Sequence, residues 1–149
     1  MDPTLREILD RQEIVSLLTR YGTALDDRDW ERLRSCFAPD AVADYGTGSP
    51  FEGYPAIEAL CRGMLEPLDA SHHMIGNHEI ELAGDAATSR CYVRAQHLRK
   101  GCPGGILLEV GGYYRDQLRR AAEGWQIQHR QLVVTWRDGN AAVLTPERD

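Results

Sequence analysis

Three of the five histidines of the chain lie close together in the segment 71–78. This segment has the pattern of a β-strand, in which successive side chains project to opposite faces. His73 would then share a face with Ile75 and Asn77, whereas His72 would point the other way. Because an imidazole has an ordinary pKa of about 6.5, a histidine at the end of an apolar pocket could transfer protons near neutral pH.

A catalytic histidine needs an acidic partner that orients its ring, and the segment 21–30 offers three. A helical pattern there runs into Asp26, Asp27 and Asp29, whose simpler role is to end the helix in solvent. Tyr21 lies on the apolar stripe of the same helix, as a core residue or as a pocket donor. Tyr21 and Asp26 are about 140° apart around the helix axis, so they share a pocket only if the helix ends or bends near Asp26.

Composition indicates one domain that spans residues 1–149. The chain is 42% hydrophobic and 27% charged, which is enough for a core and a small-molecule pocket. A net charge of -6 argues against nucleic acid or a membrane surface as the main partner. The first residues lack the pattern of a signal peptide, so a cytoplasmic location is expected. The four cysteines show no C-x-x-C spacing, which favours reduced thiols over a zinc site or a disulfide.

The first half of the chain has helical spacing. Asp2 and Pro3 form a helix start, and apolar residues then recur at three- and four-residue steps as far as Leu25. A second helix is predicted from Trp30 through Phe37, ended by Pro39. Residues 41–45 follow as a short strand, 46–50 as a loop and 54–65 as a third helix.

The second half has the period of strands. Four strands are predicted at 71–82, 88–100, 106–119 and 124–137, and their short connections make them antiparallel neighbours. Helices followed by strands indicate an α+β fold, with the N-terminal helices packed on one side of a curved, mostly antiparallel sheet. Gly111 and Gly112 lie inside the third of these strands, where they indicate a bulge or a sharp bend. The tail 140–149 has little periodicity.

Several segments resemble the SnoaL-like family of the nuclear transport factor 2-like superfamily. The similarity covers about residues 7–137 and is greatest to the branch of scytalone dehydratase, bile acid 7α-dehydratase and hexachlorocyclohexane dehydrochlorinase. It rests on residues 12–21, 26–30, 37–41, 73–77 and 124–127.

This resemblance implies a cone-shaped α+β barrel with a pocket between the sheet and the first helix. It implies an acid–base pair of Asp26 and His73, and Tyr21 as a pocket tyrosine. Relatives carry a further histidine or aspartate where this chain has Cys91 or Tyr92. His97 shares the face of Cys91 and is a second candidate for the pocket. The substrate-binding residues expected are Cys91, His97, Tyr45 and Trp30.

The function expected is that of a cofactor-independent lyase or isomerase, similar to a dehydratase. Its substrate would be a small hydrophobic cyclic molecule such as a sterol, terpenoid or polyketide. One alternative is a non-catalytic subunit, like the small subunits of ring-hydroxylating dioxygenases, and another is an epoxide hydrolase or cyclase. A metal site at His72, His73 and His78 is disfavoured, because strand alternation separates His73 from the other two.

The outer face of the sheet should carry Tyr92, Arg94 and Gln96, with Tyr113 or Trp136 beside them. Aromatic residues mixed with arginine are typical of subunit interfaces. We therefore expect a homo-oligomer, and the resemblance favours a trimer over a dimer.

Overall fold

The computed structural model describes residues 1–145; residues 146–149 lie outside the described part of the chain, so the expected tail is seen only as far as Thr145. The elements in chain order are helices and strands as follows: α1 (Pro3–Asp27), α2 (Trp30–Arg34), β1 (Phe37–Asp44), β2 (Phe51–Glu52), α3 (Tyr54–Leu65), β3 (Ala70–Ala83), β4 (Ala86–Leu98), β5 (Leu107–Ala121), β6 (Gly124–Gly139) and a one-turn 3-10 helix (Ala141–Leu144). No helix within residues 1–145 is both long enough and apolar enough to cross a membrane.

Helix α1 begins and ends where local chemistry requires it. The Asp2 carboxylate accepts hydrogen bonds from the backbone N–H groups of Thr4 and Leu5 at 2.9 and 3.1 Å. The helix ends because Arg28 adopts the left-handed conformation, with φ at 55°. The apolar stripe is buried from Ile14 to Leu25, whereas Leu5, Ile8 and Leu9 in the first turns are exposed. The buried part packs on the sheet and holds the last turn of α1 over β3.

The second helix is shorter than the sequence predicts. Helix α2 stops at Arg34, and Phe37 already begins β1. The prediction of helix through Phe37 to Pro39 is therefore wrong. Pro39 lies inside β1, which pairs in parallel with β6, and the pairing register shifts between Phe37 and Val42. A proline that donates no backbone hydrogen bond is tolerated at such an irregularity.

The six strands form one curved, unclosed sheet in the order β2-β1-β6-β5-β4-β3. All neighbours are antiparallel except β1 and β6. The helices pack against this sheet, as expected for a cone-shaped α+β fold, and the four predicted long strands are present with ends that differ by at most three residues. The two-residue strand β2 was not predicted. The curvature leaves space between α1, α3 and the sheet, where the candidate site lies.

A bulge in β3 corrects one prediction about its faces. The register shifts between Gly76 and Glu79, and Asn77 has φ at 52°. Asn77 is therefore exposed and does not share the inner face with His73. Side chains alternate strictly between the two faces of the sheet from Ser71 to Ile75. The bulge adds one residue to β3, so the residues after it alternate in the opposite order.

The bulge predicted at the paired glycines is confirmed. Gly111 pairs with Trp136 and Gly112 pairs with Val134, so the intervening Thr135 is left over. A Cβ at Gly112 would overlap the carbonyl oxygen of Val133 in the neighbouring strand. Glycine is required here because the two backbones approach too closely for any side chain.

We expect Gly112→Ala to lower the free energy of unfolding by roughly 2–4 kcal/mol, since the backbone of β6 must move. Gly63 in α3 is the matched control, because an added Cβ there meets nothing within 4 Å. Gly63→Ala should raise the free energy of unfolding by about 0.5–1 kcal/mol through helix propensity. Urea unfolding of both variants measures the difference, and equal effects would contradict this account of the bend.

The outer face of the sheet bears exposed Met74, Tyr92 and Trp136, whose exposed fractions are 65%, 50% and 42%. Arg94 lies over the Trp136 ring and forms an ion pair with Glu109.

We propose that this face binds a second copy of the chain, because it carries both arginine and carboxylate groups and so can pair with itself. We propose a trimer rather than a dimer, as the family resemblance implies. Light scattering coupled to size exclusion should show the oligomer, and Trp136→Glu should release monomers; a monomeric wild-type protein would refute the proposal.

Candidate active site

The end of α1 meets the inner face of β3 through a carboxylate and an imidazole. Asp26 Oδ1 lies 2.6 Å from Nδ1 of His73, and Asp26 Oδ2 accepts the backbone N–H of His73 at 2.8 Å. The hydroxyl of Ser71 donates to Oδ1 at 2.9 Å. The side chains of His73 and Asp26 are only 7% and 15% exposed. These are the distances that an acid–base pair requires.

The contacts define the protonation state of the pair. Burial raises the pKa of Asp26, but the hydrogen bonds from His73 and Ser71 outweigh it and leave the pKa below the ordinary value of 3.8. Asp26 is therefore a carboxylate at neutral pH, which accepts only. The neutral His73 ring must carry its proton on Nδ1 to satisfy it, so Nε2 has a free lone pair. Since the ring lines a cavity, that lone pair is the available base.

His97 is a second imidazole in the same cavity, in a different state. Its ring is 5.8 Å from the His73 ring and nearly perpendicular to it. Nδ1 lies 3.0 Å from the carbonyl oxygen of Leu108, to which it donates. Burial is the main cause that lowers the pKa of His97 to about 4, and it outweighs the raising effects of the Leu108 carbonyl and of Asp26. His97 is thus neutral, with Nε2 free as a hydrogen-bond acceptor.

Two tyrosine hydroxyls face these rings across the cavity. The hydroxyls of Tyr21 and Tyr45 are 3.0 Å apart, and Tyr114 packs edge-on against Tyr21 at 5.6 Å between centroids. Burial raises the pKa of all three phenols well above 10, so each keeps its proton. One of the two protons is used in the hydrogen bond between Tyr21 and Tyr45, so the pair offers one hydrogen-bond donor to a bound molecule.

The cavity has a volume of about 160 Å³. Its walls are mostly aliphatic side chains of α3, β4, β5 and β6, and its polar lining consists of the three tyrosines, the two histidines, Thr47 and Arg137. Leu144 of the 3-10 helix closes one side. A space of this size accommodates about one six-membered ring.

Two residues expected in the pocket lie outside its lining. Cys91 is fully buried behind the wall, and the cavity thiol is Cys61 instead. Burial raises the pKa of Cys61 to about 12, so this thiol is not a nucleophile at neutral pH. Trp30 begins α2, where the guanidinium of Arg62 covers its ring at 5.2 Å. Asp26 also does not line the cavity but lies behind His73. This position agrees with the angle of about 140° between Tyr21 and Asp26 around the axis of α1.

Arg130 is a functional candidate that the sequence did not reveal. Arg130 and Asp116 form a two-pronged ion pair, at 2.7 Å for each hydrogen bond, with both side chains fully buried. The guanidinium lies 4.2 Å from the centroid of Tyr21 and 3.8 Å from that of Tyr114. A bulge at Gln128 turns Arg130 inward. The sequence signal that could have revealed this ion pair was Asp116, a carboxylate on the same face of β5 as the buried residues Tyr114 and Leu118.

Within residues 1–145, no group of three or more histidine, cysteine, aspartate or glutamate side chains is arranged to hold a metal ion. His73 is engaged by Asp26, while His72 lies on the outer face and His78 follows the bulge.

The fold and the site now allow comparison with known proteins. Residues 6–131 match the SnoaL-like domain family, and the chain belongs to this family. An uncharacterised protein of Mycobacterium tuberculosis is 34% identical over 128 residues, which cover 85% of this chain and 86% of that protein. The terrestric acid biosynthesis cluster protein E of Penicillium crustosum is 33% identical over 141 residues, or 91% and 89% of the two chains.

Solved structures share the fold at lower identity. A putative scytalone dehydratase from Novosphingobium aromaticivorans superimposes with a TM-score of 0.84 at 20% identity, over 92% of this chain and 91% of that one. A hexachlorocyclohexane dehydrochlorinase gives a TM-score of 0.80 at 16% identity, over 93% of each chain. A structure from Novosphingobium aromaticivorans described as an ntf2-like protein with a cystatin-like fold is 28% identical, with a TM-score of 0.76 over 94% of this chain and 90% of that one. The chain thus has the nuclear transport factor 2-like fold.

The buried, neutral His97 should make the protein less stable in mild acid. Its pKa is about 4 in the folded chain, against 6.5 for an ordinary histidine, so the unfolded chain binds a proton that the native state excludes. The free energy of unfolding therefore falls progressively as the pH is lowered from about 6.5 to about 4, and this residue causes no further loss below pH 4. Between about pH 7 and pH 5, the free energy of unfolding should fall by about 2 kcal/mol from this residue.

His97→Asn keeps a donor for the Leu108 carbonyl but removes the titration. Urea unfolding of this variant should show a smaller loss of stability between the two pH values. His72→Asn, on the exposed outer face, is the control and should behave as wild type. An unchanged pH dependence in His97→Asn would show that His97 is not neutral in the folded protein.

Proposed function

We propose that the protein is a cofactor-independent lyase or isomerase that acts on a compact hydrophobic cyclic molecule by acid–base catalysis. The observation that carries the proposal is the Asp26–His73 hydrogen bond, with the free face of the imidazole lining a largely apolar cavity. The relatedness of the fold to a putative scytalone dehydratase and to a dehydrochlorinase supports a lyase reaction.

The proton transfer follows from the state of the pair. Nε2 of His73 removes a proton from a carbon next to a carbonyl group, and the Asp26 carboxylate stabilises the imidazolium that forms. In an elimination, the electron pair of the C–H bond becomes the new double bond, and a hydroxyl leaves as water with the proton from Nε2. In an isomerisation, the same proton returns to a different carbon.

The tyrosines supply the other half of the chemistry. As the proton leaves, negative charge develops on the substrate carbonyl oxygen. The hydroxyl of the Tyr21–Tyr45 pair whose proton is not used between them can donate to this oxygen. The buried guanidinium of Arg130 lies under Tyr21 and adds a positive potential from below. Because these groups are buried, both effects are stronger than in water.

His97 has a different role in this proposal. With a pKa of about 4 it is a weak base and is not an acid at neutral pH. Its free Nε2 can accept a hydrogen bond from a substrate hydroxyl and hold that group beside His73. The pair of rings therefore combines one base with one acceptor that positions the leaving group.

The cavity narrows the substrate class. A volume of about 160 Å³ suits a substrate of about one ring, while a sterol would require the walls to open. The similarity to a protein of the terrestric acid biosynthesis cluster supports a small secondary metabolite. A non-catalytic subunit would need no acid–base pair beside an open cavity, and an epoxide hydrolase or cyclase would give different products.

The test is a screen of small cyclic β-hydroxy ketones, with the formation of the unsaturated ketone followed by absorbance and mass. Exchange of the acidic proton in D₂O would also detect an isomerase. His73→Ala and Asp26→Asn should each lower kcat/KM by about 10²–10⁴-fold, because the first removes the base and the second disturbs its tautomer.

The matched control is His72→Ala, which alters the adjacent residue on the outer face and should keep wild-type turnover. If both site variants stay within a few-fold of wild type on an active substrate, acid–base catalysis by this pair is wrong. Incorporation of solvent oxygen into the product would instead favour the hydrolase.

A further inference from the structure

A chain of directed hydrogen bonds leads to the Asp26–His73 pair from outside the cavity. Nη1 of Arg28 lies 2.7 Å from Ser71 Oγ, and Ser71 Oγ lies 2.9 Å from Asp26 Oδ1. A guanidinium can only donate, so Ser71 Oγ accepts from Arg28. The hydroxyl proton of Ser71 then has Asp26 as its partner. Because Arg28 can only donate, the directions of both hydrogen bonds are fixed: Arg28 donates to Ser71, and Ser71 donates to Asp26.

Arg28 is held in place for this role. It occupies the left-handed residue that ends α1, and its guanidinium also donates to the carbonyl oxygen of Leu25 at 2.7 Å. The conformation is unusual for a residue with a side chain, yet it turns the side chain back over the helix end toward β3. The same guanidinium thus joins the last turn of α1 to Ser71.

We propose that Ser71 and Arg28 are positioning residues for the Asp26–His73 pair. Arg28 orients the Ser71 hydroxyl, and Ser71 holds Asp26 as an ionised carboxylate in register with the ring. This inference rests on the proposed function for its catalytic meaning, but the hydrogen-bond chain itself is independent of any substrate.

The consequence concerns where the transferred proton stays. Asp26 receives three hydrogen bonds, two from His73 and one from Ser71, and each stabilises the anion. A carboxylate satisfied in this way is a poor base. After His73 takes a proton from the substrate, the imidazolium therefore keeps its protons and can return one to the leaving group. Without Ser71, Asp26 would compete more strongly for the proton on Nδ1.

The charged groups around the pair come from several elements. His97 of β4 faces the His73 ring, and Glu66 at the end of α3 is near Arg28. His97 is neutral above about pH 5, given its pKa of about 4. The test variants leave both residues unchanged, so differences between variants report on Ser71 and Arg28.

The experiment is an NMR titration of the Asp26 side-chain carboxyl carbon in protein labelled with ¹³C-aspartate, without substrate. Ser71→Ala removes one donor and should move the Asp26 titration midpoint up by about one pH unit. Arg28→Gln should move it in the same direction by less. Ser71→Thr retains the hydroxyl and should restore the wild-type midpoint. Arg32→Gln, which changes an exposed arginine one turn away, should have no effect.

Ser71→Thr and Ser71→Val form a second comparison in case Ser71→Ala does not fold, since the two side chains have the same shape and differ in the hydroxyl. A midpoint that is equal in Thr and Val variants, or unchanged in Ser71→Ala, would overturn the proposal. On an active substrate, Ser71→Ala should lower kcat/KM by about 10-fold and shift the acidic limb of its pH profile, and Ser71→Thr should rescue both. Because the titration needs no turnover, failure of the positioning chain and failure of the lyase reaction are distinguishable.

Discussion

The hydrogen bond between Asp26 and His73 joins the two layers of the molecule at the site. Asp26 is available only because α1 ends one residue later, at Asp27, and is followed by the left-handed Arg28. His73 faces inward only because β3 keeps strict alternation from Ser71 to Ile75 before its bulge. A helix terminus and a strand register must therefore both be correct within one residue. The buried stripe of α1 provides the packing that holds these two ends together.

A second constraint is the buried charge of Arg130, which lies behind two tyrosines of the cavity wall. A fully buried Arg130 is costly unless its charge is matched, and Asp116 supplies a two-pronged partner while Tyr21 and Tyr114 cover the faces of the guanidinium. Such a pair adds little to stability compared with apolar packing, and it fixes a guanidinium against the rings of two tyrosines. This part of the cavity wall is therefore aromatic at its surface, with a buried ion pair behind it.

The sequence was sufficient for the parts of the fold that follow from periodicity. The long strands were predictable from the alternation of apolar and polar residues. The bend at 111–112 was predictable because two adjacent glycines inside a strand indicate one. The inward position of Arg130, the exposure of Asn77 and the placement of Pro39 in a strand were not predictable. Each depends on a bulge or a register shift, which reverses the facing of every later residue and is set by pairing with a distant strand. The acid–base pair came from the family resemblance, since three carboxylates were equally available near the end of α1.

The two histidines show how one fold separates two chemical roles within 5.8 Å. Both rings use Nδ1 as a donor and leave Nε2 toward the cavity, so their geometry alone does not distinguish them. The difference lies in the acceptor: a carboxylate lies behind His73, whereas the neutral carbonyl behind His97 raises its pKa less than burial lowers it. Burial therefore keeps the His97 ring neutral at neutral pH. Two neighbouring imidazoles thus differ in the identity of one contacting oxygen.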